Sequence, residues 1–112
     1  METLRQASET GDIESVRHLL ANAVDVHTGS NYALRSACRE GHIEVVRLLL
    51  ANGADVHALD DYAIKNAKYD SQTGDYSMIY LLIEYGADIT KSNLPQSVVD
   101  HVLGLDDTKP AY

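Results

Sequence analysis

The sequence predicts an all-α protein: a solenoid of stacked helix-turn-helix units, joined by short turns and closed by a C-terminal capping helix. Three observations predict it. Segments starting at Leu4, Leu34 and Ile64 align, with Gly11, Gly41 and Gly74 at matching places, and Asp25, Asp55 and Asp88 keep the spacing of those glycines. Within each segment the apolar residues fall at helical spacing on either side of a glycine. Helices this short nucleate poorly and bury little in pairs, so they persist only by stacking on their neighbours.

The second unit shows the pattern most plainly. Leu34, Ala37 and Cys38 share one helix face, and Gly41 ends that helix where a left-handed backbone costs least. The next helix opens at His42 and is expected to bury Ile43, Val46, Leu49 and Leu50, leaving Glu44, Arg47 and Asn52 on its polar side. Gly53 closes it. The first unit repeats this design from Leu4 to His27, with Asp12 and Glu14 at a helix N-terminus where they favour the dipole. In the third unit the stretch Lys68 to Thr73 stands where the second has only Cys38 to Glu40, and Lys68 takes a buried-type position, so that helix must end differently.

Residues 92–105 read as a capping helix. Ser92 or Asn93 is its expected cap and Pro95 lies in its first turn, with Val98, Val99, Val102 and Leu103 facing inward and Asp100 and His101 outward. The expected organisation is one domain over 1–105, with units at about 2–27, 28–57 and 58–90, followed by a frayed tail at 106–112.

The run Gly-His-Ile-Glu-Val-Val-Arg-Leu-Leu-Leu-Ala-Asn-Gly-Ala-Asp-Val at 41–56 resembles the ankyrin repeat signature, and weaker forms recur at 11–26 and 74–89. The resemblance covers about residues 2–103. Where that family opens its first helix with Thr-Pro-Leu-His, this chain has Tyr32-Ala33-Leu34-Arg35 and Tyr62-Ala63-Ile64-Lys65, so the family's threonine–histidine brace is missing. The step from Gly11 to Gly41 is shorter than the family's period of about 33. The shortening falls at Thr28-Gly29-Ser30-Asn31, where the family places a β-hairpin finger; a tighter turn is expected, with Gly29 and Asn31 taking the unusual backbone angles. Short repeats bearing Tyr-Ala-Leu-Arg resemble those of ankyrin proteins of large amoeba-infecting DNA viruses.

Composition narrows the function. The 112 residues carry 17 acidic and 9 basic side chains, a formal charge of −8, without asymmetry along the chain. No basic stripe exists to release counterions from a phosphate backbone, which argues against nucleic acid and acidic membranes and for a protein partner. One cysteine, Cys38, excludes an internal disulfide framework and a cysteine-based zinc cluster. No apolar run approaches the roughly 20 residues of a membrane span, and the N-terminus lacks the basic and apolar regions of a secretory signal. An intracellular setting follows as the default: the cytoplasm, or the host cytoplasm for a viral protein.

Of the histidines, His27 and His57 occupy equivalent places after Asp-Val and read as braces of a turn; units about 10 Å apart could not share an ion with ligand bonds near 2.0–2.1 Å. His42 reads as structural, and His18 and His101 as solvated. Cys38 falls at a small buried position of the family and would be inert. No phosphate loop or nucleophile motif is present, so neither a cofactor, a metal nor a catalytic residue is expected. Seven tyrosines and no phenylalanine or tryptophan make up the aromatics. Tyr69 and Tyr76 flank the insertion and are candidates for exposure; Tyr80 and Tyr85 are as compatible with partial burial as with contact.

The resemblance implies a concave face of turn tips and first-helix sides. It places there Ser30, Asn31, Tyr32, Arg35, Ser36 and Arg39 from one unit and Asp60, Asp61, Tyr62, Lys65, Asn66 and Tyr69 from the next. A mixed polar and aromatic surface of this kind suits protein binding. The expected function is a non-catalytic interaction module, a viral or host-interaction adaptor or inhibitor; the alternative is a self-associating structural protein, so that the chain is a monomer or a homodimer.

Overall fold

A computed structural model describes residues 3–104, and all of its regular elements are helical. In chain order these are α1 (Leu4–Thr10), α2 (Ile13–Ala21), α3 (Thr28–Glu40), α4 (Ile43–Ala51), α5 (Ala58–Asn66), α6 (Ser77–Glu84), a 3-10 turn (Ile89–Lys91) and α7 (Gln96–Leu103). The first helix of one unit packs on the first helix of the next, α1 on α3 and α3 on α5, and the second helices stack likewise, α2 on α4 and α4 on α6. Stacking stretches the molecule to 52 × 25 × 20 Å. The core is accordingly a strip: Leu4 and Ala7, then Leu34, Ala37 and Cys38, then Ile64 from the first helices, against Val16, Val46, Leu49, Ile79 and Leu82 from the second.

Local chemistry sets the helix ends. Thr3 and Gln6 form a reciprocal capping box on α1, and the Asp12 carboxylate accepts the Ser15 N–H at 3.2 Å at the start of α2. Gly11 and Gly41, both at φ 81°, end α1 and α3 as expected. In α4 the buried set is Val45, Val46, Leu49 and Leu50; Ile43 is only partly covered, so the buried face is turned toward Val45.

The connections between units are where the short step is accommodated. No hairpin finger forms. Gly29, Ser30 and Asn31 run through φ 65°, 57° and 61°, one left-handed turn, and Leu59, Asp60 and Asp61 repeat it at 52°, 55° and 60°. Gly29 and Asn31 take the angles expected of them, and Ser30 joins them. Each turn is closed by a backbone bond, Asn31 N–H to the His27 carbonyl at 3.0 Å and Asp61 N–H to the His57 carbonyl at 3.1 Å.

The third unit departs where Lys68 replaces the buried position. α5 stops at Asn66, Ala67 turns extended, and the Lys68 N–H donates to the Cys38 carbonyl of the preceding unit at 3.0 Å, with its side chain exposed. The insertion then folds back on itself through paired backbone bonds between Asp70 and Asp75 (3.1 and 2.9 Å).

The capping helix corrects one expectation. Ser92 follows the 3-10 turn instead of capping a helix, and Pro95 is the cap residue of α7, not part of its first turn. Val98 is buried and Val99 and Val102 partly so, but Leu103, expected inward, is 49% exposed. The expected frayed tail at 106–112 lies outside the described residues.

Candidate protein-binding face

Matching positions of the stacked first helices bring Arg5, Arg35 and Lys65 into one row, with Tyr32 and Tyr62 at the turn exits between them. The side chains interleave. The Arg5 guanidinium lies 4.3 Å from the Tyr32 ring centre, and that of Arg35 lies 5.2 Å from Tyr32 and 5.3 Å from Tyr62. Cations within about 6 Å of an aromatic face are attracted by its quadrupole, so the row forms a cation–aromatic ladder across three units.

Further bonds hold the ladder. Arg35 donates from Nε to the Ser30 carbonyl (3.0 Å) and from Nη2 to the Gly29 carbonyl (2.8 Å), tying the ladder to the left-handed turn. The Tyr32 hydroxyl donates to Glu9 at 3.3 Å. Arg39 binds Glu40 at 3.0 Å; the Glu40 carboxylate, then Tyr62, hold its guanidinium pKa above the ordinary value. Lys65 binds Asp60 at 2.8 Å, which holds the Asp60 carboxyl below the usual range.

Nine of the twelve expected contact residues keep accessible surface: Ser30, Arg39, Asp60 and Asn66 are exposed, and Tyr32, Arg35, Tyr62, Lys65 and Tyr69 are partly so. Three are corrected. Asn31 (5% exposed) has its side-chain oxygen occupied by the Asp55 N–H at 2.8 Å. Asp61 (5%) faces inward to accept from His57 Nδ1 at 2.6 Å. Ser36 (1%) packs between helices, because on a helix flanked by two others its position turns to the neighbour and not to solvent. Asn66 is exposed but lies outside the ladder, its amide donating to the Tyr62 carbonyl at 3.0 Å.

Other expectations fall differently. Tyr76, a candidate for exposure, is buried, 5.9 Å from the partly buried Tyr69 ring and 5.1 Å from the ring of His101, which is therefore more than a solvated side chain. Tyr80 and Tyr85 are both exposed, on the second-helix side. His27 braces its turn as expected, with its backbone N–H on Asp25 at 2.9 Å and its Nε2 2.8 Å from the Gly53 carbonyl of the next unit. His42 is structural too, its Nε2 3.0 Å from the Glu9 carbonyl. Burial pushes the Cys38 thiol up to about 12, which makes it a poor nucleophile. Among the described residues no cluster of three or more potential ligands could hold a metal ion. No helix among them is long and apolar enough to cross a membrane.

Sequence reasoning missed Arg5 and Glu9. The signal for Arg5 was available, since it stands one repeat before Arg35, in the same register. Also missed was Leu59, 55% exposed at the tip of the second left-handed turn, where the sequence offers only its position in register with Gly29.

The profile of a family described as ankyrin repeats, three copies, matches residues 4–93. A search of curated proteins returned no match to the chain.

Proposed function

The chain belongs to the ankyrin-repeat family, whose members are in general protein–protein interaction modules, and we propose that it binds a partner protein on the first-helix face without chemistry of its own. The observation that carries this reading is the ladder Arg5–Tyr32–Arg35–Tyr62, an aromatic and guanidinium strip that is partly open to solvent and crosses three units. Tyrosine and arginine are the residue types that concentrate binding energy at interfaces. In a stack of this family that face is the concave one, and Ser30, Arg39, Asp60 and Lys65 border the strip. The role is that of an adaptor or inhibitor acting by occupancy, in an intracellular setting.

The test is affinity capture with the wild-type protein and a variant carrying Tyr32→Ala, Arg35→Ala, Tyr62→Ala and Lys65→Ala, with far-ultraviolet circular dichroism to verify that both are folded. The wild type retains a partner that the variant loses; a partner held equally by both refutes this face. The alternative of a homodimer draws on the exposed apolar Leu103 at the end of the stack. Light scattering during size-exclusion chromatography separates the two, and a concentration-independent monomer removes self-association.

A further inference from the structure

We infer that the ladder reads carboxylates, so that the element of the partner lying on it is an acidic, extended peptide segment; this rests on the first-helix face being the binding face. The face does not share the acidic balance of the whole: once Arg39 pairs with Glu40 and Lys65 with Asp60, Arg5 and Arg35 remain against Glu9. The chain carries 17 acids and 9 bases, yet Arg5, Arg35, Arg39 and Lys65 all lie along this strip. Its acids are already engaged: Glu9 by the Tyr32 hydroxyl, Glu40 by Arg39 and Asp60 by Lys65.

Arg35 is the centre of the site. Among the described residues its partners are two backbone carbonyls and two tyrosine rings, all uncharged, so no carboxylate neutralises it. A guanidinium has five N–H donors. Nε and one Nη2 hydrogen serve the turn, which leaves Nη1 and the second Nη2 hydrogen for a ligand. The two rings and two carbonyls fix the plane, so little side-chain freedom is lost when a carboxylate docks on it. Arg5, exposed and 4.3 Å from the Tyr32 ring centre, offers a second guanidinium beside the same ring. Two guanidinium groups spaced along a strip match carboxylates at alternate positions of an extended chain, which share one face of it. The net charge of −8 opposes such a ligand at long range, so selectivity comes from these short-range contacts and not from steering.

The probe is a fluorescein-labelled octapeptide of alternating Glu and Leu, with the alternating Gln and Leu peptide as its uncharged isostere, each titrated by fluorescence anisotropy. The Glu peptide is expected to bind about tenfold tighter than the isostere. Arg35→Lys keeps the charge but loses the planar fork and weakens the Glu peptide about fivefold, and Arg5→Gln, at an exposed position, weakens it several-fold without touching the turn. Equal binding of the two peptides overturns the inference while leaving the face as a binding face; binding of neither overturns it as well. Affinity unchanged in both variants also refutes it. Loss of a captured partner by the quadruple alanine variant judges the underlying reading separately.

Discussion

The side-chain oxygen of Asn31 accepts the backbone N–H of Asp55 at 2.8 Å, so the left-handed turn of one unit is bolted to the start of the next connection. Asn31 is buried and stands at φ 61°, a region that asparagine tolerates better than most residues. Asn31→Ala removes the acceptor and leaves a part-buried N–H unsatisfied, which costs about 1–3 kcal/mol. A urea midpoint unchanged from wild type would show the bolt to be dispensable.

Gly11 and Gly41 share their backbone angle but not their surroundings. A Cβ on Gly11 would lie 2.7 Å from His42 Nδ1, in a ring anchored on the Glu9 carbonyl, whereas one on Gly41 would lie 2.7 Å from Cδ of the exposed, flexible Lys68. Both alanine variants bear the left-handed penalty of about 1–2 kcal/mol. Gly11→Ala should be the worse, because the imidazole must move and its bond to the preceding unit is lost. Comparable denaturation midpoints for the two would contradict this.

Leu59 sits in the left-handed region at φ 52° with 55% of its surface exposed, in register with Gly29. Leu59→Gly relieves the Cβ clash at the expense of a looser unfolded chain, and a net gain of up to about 1 kcal/mol is expected. Thermal unfolding reads the sign: a lower melting temperature would mean that the Leu59 side chain contributes packing that outweighs its strain.

The Ser36 hydroxyl is buried and has no hydrogen-bond partner among the described residues. An unmade bond of this kind costs about 1–3 kcal/mol, so Ser36→Ala should be neutral or stabilising and should leave partner capture unchanged. Lost capture in a folded Ser36→Ala protein would return this residue to the interface.

Four aspartates are held below the ordinary carboxylate range: Asp25 by the His27 backbone N–H, Asp60 by Lys65, Asp75 by the Ser77 hydroxyl and Asp88 by the Thr90 hydroxyl. A depressed folded-state pKa contributes stability that is present above the unfolded value of about 3.9 and is lost as pH falls through the folded one. Urea midpoints should therefore hold from pH 7 to about pH 5 and drop below about pH 4. Equal midpoints at about pH 5 and pH 3 would refute the linkage.

What was legible in the residues themselves was whatever local chemistry controls. Helical spacing of Leu34, Ala37 and Cys38, glycines at the helix ends, the changed ending at Lys68 and the turn-forming Gly29 and Asn31 all act within a few residues, and they appear where expected. The register of the repeat was legible too, and followed consistently it reaches Arg5 as the first rung of the ladder.

The repeat, the family and the two-helix design of each unit were thus written in the chain. Which polar side chains of a first helix look outward was settled by packing between units. Asn31, Ser36 and Asp61 are the same residue types as their exposed neighbours, but each first helix is flanked by others, and small polar groups beside the seam are buried with it. Tyr76 went inward for the same reason, because the folded-back insertion and α7 bring Tyr69 and His101 against it. The ladder itself is a product of stacking: Arg5, Tyr32, Arg35 and Tyr62 come from three units, and cation–aromatic distances of 4.3 to 5.3 Å exist only once those units are laid side by side.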